Sequence, residues 1–431
     1  MLSFLINTWL GGKEVTTLSR RNLLRASAGL VPAVALGARP AQAVLAPVVT
    51  TSGTAPAALA GFDNVMKTFV TERNISCAQL AIAKKGKILL ARGYRYSDGS
   101  QALPSVTPTS LFRIASLSKH ITAAAIMRLV QDGKLSLSTP VTTLLGLSAT
   151  ADPRLKQVTV LRLIHHLGGW DRDKSKDPLW LDHTISASLD VPLPISQDDI
   201  VRYVTARPLD HDPGSKMVYS NYGYMLLGKI IEKVSGMSYE SYVKQKLFAP
   251  VGITRMRIGH SLRSEAEATE VVYSSQYTQK SVMDDSGSTV PYQYGGFNMP
   301  NQGANGGWLA SAVDLVRFSR VFDAAGPVLN AASITKILAK PEIGISADGS
   351  WYGGGWYVRQ VPGNLNTWHA GGMPGTYTYL ARLQNGFTYA ALFNRREEQG
   401  TLDYDVLSPL MNAQIGKVTT WPTTDLTSKY F

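Results

Sequence analysis

The feature that most constrains the fold is the placement of strand-like segments at the two ends of the chain, with a long helical and loop-rich middle between them. Residues 79–83 and 87–96 are apolar and strand-like, and they flank the turn Lys84-Lys85-Gly86, so they read as a hairpin. Strand patterns return only towards the C-terminus, at 351–360, 376–383 and 387–393. Strands that meet as hairpins build an antiparallel sheet. The first and last thirds are therefore expected to form one sheet, and the middle third to roof it, in an α+β architecture.

Helical spacing is clear in several places. Leu59, Phe62, Val65, Met66 and Phe69 give 58–72 one apolar face. Residues 117–132 form a long apolar helix pattern ended by Gly133. Ser196 with Asp199, and Ser311 with Asp314, have capping-box spacing at the start of helices. A further helix is expected over 222–234, closed by Gly236.

The N-terminus reads as an address. Ser19-Arg20-Arg21-Asn22-Leu23-Leu24-Arg25 has the form of a twin-arginine export signal. A short apolar stretch follows, too short to span a bilayer, and then the small-residue cleavage site Ala41-Gln42-Ala43. Residues 1–43 are thus expected to be a leader and 44–60, rich in Ala, Thr and Pro, a flexible linker. One catalytic domain is expected over 61–417, with a helical subdomain at about 134–305 and a tail over 418–431. The location expected is periplasmic or extracellular.

Cys77 is the one cysteine among 431 residues, so no internal disulfide can form; its apolar neighbours suggest a buried strand position. The formal charge of +12 is spread without an arginine-rich block or an aromatic-interleaved basic stripe, which argues against a nucleic-acid partner. A diffuse positive excess suits association with an anionic cell envelope.

The chemistry is concentrated in three short segments. In Phe112-Arg113-Ile114-Ala115-Ser116-Leu117-Ser118-Lys119-His120, Ser116 and Lys119 stand i, i+3, so a helix puts them on one face. Serine needs a neighbouring base, and a lysine with a lowered pKa can be one. Ser-x-x-Lys also occurs at Ser241/Lys244 and Ser333/Lys336, in ordinary surface-like helix patterns. Tyr219-Ser220-Asn221 offers a phenol to shuttle a proton and an amide to hold a carbonyl or the lysine. His369-Ala370-Gly371-Gly372, read as lying between two strands, offers a glycine-lined edge where substrate can approach and where the N–H groups of Gly372 and Ser116 can form an oxyanion hole.

The order Ser-x-x-Lys, Tyr-x-Asn, His-x-Gly, with successive gaps of about 100 and 150 residues, resembles that of the class C β-lactamases, D-alanyl-D-alanine carboxypeptidases and related esterases. Leu163-Ile164-His165-His166-Leu167-Gly168-Gly169, the Tyr222–Gly228 helix start and Gly306-Gly307-Trp308-Leu309-Ala310-Ser311 resemble further segments of that family, over about 60–415. The resemblance implies an antiparallel sheet flanked by helices, an acyl-enzyme on Ser116, Lys119 as base, Tyr219 as proton shuttle, Asn221 as substrate holder, and no metal or organic cofactor. It implies a small-molecule or peptide substrate carrying an ester, amide or D-amino-acid bond. Acyl transfer, β-lactam hydrolysis and a non-catalytic envelope-binding scaffold are the alternatives.

One departure matters. Where β-lactamases of this type carry Lys-Thr-Gly, this chain has His369-Ala370-Gly371, which removes two contacts to a substrate carboxylate. A protonated His369 would restore positive charge there. Adjacent His165 and His166 are expected to be structural rather than metal ligands, and Asp171–Asp177 a solvated loop, with the cleft rim as the alternative its position in the middle third leaves open. Among Trp170, Trp180, Tyr292, Tyr294 and Trp308, Trp308 is the foremost candidate to line an acyl pocket.

Overall fold

A computed structural model describes residues 48–98, 105–400 and 402–431. The proposed leader, residues 1–43, lies outside the described residues. From Val48 onward the described residues belong to one compact unit.

The expected hairpin is present. Strand β1 (Val48–Thr54) precedes it, and β2 (Cys77–Lys84) and β3 (Lys87–Ser97) form it. Lys85 and Gly86 both take positive φ, which is the twist a two-residue hairpin turn requires. Three short strands follow: β4 (Phe112–Arg113), β5 (Arg257–Ile258) and β6 (Thr278–Lys280). They are succeeded by β7 (Thr289–Pro291), β8 (Trp308–Ala310) and β9 (Ser350–Tyr352). The chain then runs through β10 (Tyr357–Val361), β11 (Asn364–Met373), β12 (Thr376–Arg382) and β13 (Phe387–Phe393). The main antiparallel sheet has the order β1-β3-β2-β13-β12-β11-β10-β9, so the ends of the chain meet at its centre, where β2 pairs with β13.

Those central strands are buried on both faces, and their side chains alternate between two cores. Ala78, Leu80 and Ile82 join Phe62, Phe69, Tyr389 and Phe393 beneath the helices Ala60–Glu72 and Leu407–Ile415. Cys77, Ala81 and Ala83 face the other way, with Ala390 and Leu392, towards helices Ser118–Gln131 and Ala312–Ser319. Burial pushes the Cys77 thiol up to about 11, so it is an inert core residue, as the sequence suggests.

The helices follow their signals closely. Both capping boxes form, Ser196 with Asp199 and Ser311 with Asp314. Helix Asn221–Ser235 ends at Gly236, whose φ of +70° needs no Cβ to be accommodated. Among the described residues no helix is long and apolar enough to cross a membrane.

Four expectations need correction. Residues 48–54 are not linker: the segment Val-Val-Thr-Thr-Ser-Gly-Thr pairs as an edge strand on β3, and Leu59 is fully buried. Residues 418–431 are not a loose tail, because Trp421 packs on Phe62 and Phe387 and the Leu426 N–H bonds to the Ile88 carbonyl. The strand expected over 351–360 is two strands, broken by Gly353-Gly354-Gly355. A Cβ at Gly355, where φ is +76°, would stand 2.3 Å from the backbone nitrogen of His120, so this turn rests directly on the helix that carries Lys119. Finally, His369-Ala370-Gly371-Gly372 lies within β11 rather than between strands, with Gly371 opposite Thr378 and Gly372 opposite Tyr377.

Candidate active site

The approach to Ser116 is clamped from two sides. Strand β4 pairs with β8, and the Ile114 N–H bonds to the Trp308 carbonyl. From the main sheet, the Thr378 hydroxyl donates to the Ile114 carbonyl at 3.0 Å. Arg113 anchors the strand by donating to the carbonyls of Gln293 (2.7 Å) and His260 (3.0 Å). Between these anchors Ala115 takes φ +47°, a conformation L-residues rarely adopt and one that recurs at functional turns. Of residues 111–127, Ser116 alone is not buried.

Lys119, one turn further on, is completely buried. Its Nζ lies 3.1 Å from Ser116 Oγ, 2.7 Å from Asn221 Oδ1 and 2.8 Å from the Asn305 carbonyl. Burial lowers its pKa well below the ordinary lysine value; the carboxylate of Asp177 opposes that shift and the Arg172 guanidinium adds to it. The hydrogen-bond arithmetic then favours a base. A neutral amine has two N–H bonds and one lone pair. The oxygens of Asn221 and Asn305 can only accept, so they take the two N–H bonds and the lone pair is left for the Ser116 hydroxyl.

Tyr219 stands on the same side. Its ring centroid is 4.7 Å from Lys119 Nζ. Burial pushes its phenol well above the ordinary value, with Ser116 pulling the other way, so the group stays a neutral phenol. Its ring is held by His166, with centroids 4.3 Å apart, and Tyr352 and His369 stand behind at 6.1 Å each. His166 Nδ1 accepts the Ser220 N–H at 3.1 Å, so this histidine fixes the Tyr219–Asn221 segment. Ser220 caps the helix through the Gly223 N–H.

His369 does not supply charge. Burial lowers its pKa to about 3, and the nearby Lys119 adds to this. Its Nδ1 is 2.5 Å from the Ala370 carbonyl, which can only accept, so Nδ1 carries the hydrogen and Nε2 accepts from the Tyr352 hydroxyl at 3.1 Å. It is a neutral support behind Tyr219. Gly371 is required for packing: a Cβ there would come 2.6 Å from the Ile114 carbonyl. Gly372 is exposed, with open space where its side chain would be.

Trp308 is a correction. It is fully buried, donates through Nε1 to the Tyr239 hydroxyl at 2.9 Å and packs edge-on to Phe248, so it belongs to the core under Ser116 and not to a substrate pocket. The apolar group beside Ser116 is instead Tyr292, Phe297, Met299 and Met373, clustered with Ala115 and with half-buried Trp180 packed against them.

For Asp171–Asp177 the alternative reading, a loop at the cleft, is the one the structure bears out. Arg172 lies 5.4 Å from the Tyr219 ring centroid, and the Asp177 carboxylate accepts from Asn221 Nδ2 at 2.6 Å. The sequence marks the loop but not these two residues within it, and it gives no signal for Asn305, because each reaches the site through contacts between segments far apart in the chain.

Comparison with known proteins agrees with this geometry. The family model described as Beta-lactamase matches residues 62–407. A probable fimbrial assembly protein of Dichelobacter nodosus is 34% identical over 34% of this chain and 35% of its own length, so the chain matches only about a third of that relative. Penicillin-binding protein 4 of Amycolatopsis lactamdurans is 28% identical over 75% of this chain and 81% of its own. The solved structure of a D-amino acid amidase from Ochrobactrum anthropi, 21% identical, superposes with a TM-score of 0.64, covering 85% of this chain and all (100%) of that one. With its clamped serine, buried lysine and two-core antiparallel sheet, the chain belongs to the Beta-lactamase family.

Proposed function

We propose that the protein is a serine hydrolase that cleaves an amide, D-amino-acid peptide or ester through an acyl group carried on Ser116. The observation that carries this reading is the Lys119 amine, fully buried, 3.1 Å from Ser116 Oγ and otherwise engaged by two groups that can only accept. Ser116 Oγ attacks the substrate carbonyl and its proton moves to Lys119 Nζ. Tyr219, a neutral phenol, hands its proton to the leaving group and takes one back from Lys119 Nζ, so the departing group leaves the acyl-enzyme with a neutral amine and a neutral phenol. Water attacks in the second half, with the proton path reversed. The N–H groups of Ser116 and Gly372 hold the oxyanion, and Asn221 faces the substrate with the amide hydrogen not used by Asp177.

Two features favour apolar amides over β-lactams. Half-buried Trp180, backed by the buried Tyr292 and Phe297 beside Ala115, offers an apolar surface for the acyl group. Neutral His369 leaves the β11 edge without the cation a β-lactam carboxylate needs. On a panel of p-nitrophenyl butyrate, D-phenylalanine amide, a D-alanyl peptide and nitrocefin, the first three are expected to outpace nitrocefin by about 10-fold or more, the worth of one charge-assisted hydrogen bond. Nitrocefin as the fastest substrate would make the protein a β-lactamase. Capture of the acyl group by added amines would make it a transferase, and silence on the whole panel would favour a binding scaffold at the envelope.

We also propose export by the twin-arginine route, on the motif Ser19–Arg25 and the Ala41-Gln42-Ala43 site. N-terminal sequencing of secreted protein is expected to begin at Val44; an intact Met1 would exclude cleavage.

A further inference from the structure

We propose that Arg172 and Asp177, two side chains of one loop in the middle of the chain, are positioning residues for the Lys119 base, Asp177 by fixing the Asn221 amide and Arg172 by standing over the Tyr219 ring. This rests on the reading of Lys119 as the base.

The geometry forms a chain: Asp177 Oδ2 to Asn221 Nδ2 at 2.6 Å, Asn221 Oδ1 to Lys119 Nζ at 2.7 Å, and Lys119 Nζ to Ser116 Oγ at 3.1 Å. The carboxylate can only accept, so it holds the NH2 end of the amide and turns the oxygen towards the lysine. A flipped amide would set oxygen against carboxylate and N–H against amine. Asp177 is itself fixed, since its other oxygen accepts the Leu179 N–H at 3.2 Å and caps the turn Pro178–Trp180.

Arg172 works from the same loop with the opposite sign. Its guanidinium carbon is 5.4 Å and Lys119 Nζ 4.7 Å from the centroid of one ring, Tyr219. A second cation beside this ring disfavours a charged lysine, while the Asp177 carboxylate favours it.

The other titratable groups facing Lys119 stay neutral: His166 and His369 are buried with lowered pKa values, and the phenols of Tyr219 and Tyr224 are raised by burial. The helix carrying Asn305 presents only a backbone carbonyl. Arg172 and Asp177 are therefore the two charged groups acting on the base, and they arrive together on one loop; burial raises the Asp177 carboxyl, and the Asn221 amide, the Leu179 N–H and the Arg172 and Lys119 charges pull it back down.

The test is the pH profile of kcat/KM on p-nitrophenyl butyrate, whose acid limb reports loss of the proton from Lys119. Asp177→Asn removes a charge that favours protonated lysine, so the limb is expected to move to lower pH. Arg172→Gln removes a charge that opposes it, so the limb is expected to move to higher pH. Each shift should be about 0.5–1 pH unit for partly screened charges, and the double variant should return near the wild-type limb. Arg172→Lys, which keeps the sign, should leave the limb in place. A purely structural loop would lower kcat without moving the limb in opposite directions. Limbs that stay put, or that move the same way in both variants, overturn the proposal. If Ser116→Ala retains the wild-type profile, it is the Ser116–Lys119 reading that fails instead.

Discussion

Replacing Ser116 with alanine is expected to remove turnover of ester and amide substrates by a factor of about 10⁴–10⁶, the range seen when a serine nucleophile is deleted and only binding and oxyanion stabilisation remain. The loss should be in kcat with KM little changed, because Oγ forms its bond only as the reaction proceeds. Stability is the control. Ser116 is the one unburied side chain of 111–127, and a single Oγ at the mouth of the site contributes little to packing. Thermal unfolding should shift by no more than the roughly ±0.5 kcal/mol typical of such substitutions. Mass spectrometry of wild-type protein quenched during turnover should show an acyl adduct on the peptide containing Ser116. Undiminished turnover in the alanine variant, or an adduct on another peptide, would remove Ser116 from the mechanism.

Lys119→Met is expected to approach the same loss, and the double variant Ser116→Ala/Lys119→Met to be no slower than the worse single one. Residues that act as a unit in one proton transfer are strongly non-additive in this way. Methionine matches the length and loses the base. It also leaves the Asn221 and Asn305 oxygens without a donor, at about 1–3 kcal/mol each. Relief from burying an amine that prefers to be charged offsets part of this cost. Kinetics and unfolding should thus separate, with several decades in rate against a few kcal/mol at most in stability. In the wild type, the depressed Lys119 pKa sets the expected sign of the pH dependence: with the neutral amine as base, activity is expected to rise as pH climbs through that value and to fall away in acid. Turnover by Lys119→Met within about tenfold of wild type would transfer the role of base to Tyr219.

Much of this was legible because it is local. Ser116 and Lys119 lie one helical turn apart, and helix spacing, caps and the hairpin turn are each written within a few residues of where they act. What was not legible depends on distant partners. Residues 48–54 have a composition that suits a linker as well as an edge strand, and only the open side of β3 decides between them. Trp308 was expected to face the substrate because two glycines precede it. Its side chain instead turns to Tyr239 and Phe248, and nothing within its own segment specifies that direction. Asp177 was hidden among charges that read as solvated, because its partner Asn221 lies 44 residues further on.

The core position of Cys77 has a practical consequence. Its thiol is 3% exposed and raised to about 11, so at neutral pH it offers almost no thiolate to an electrophile. As no other cysteine exists in the chain, thiol-directed background is absent, and the stoichiometry with which an acylating reagent marks the protein counts competent molecules directly. Such active-site titration needs no cysteine-free variant.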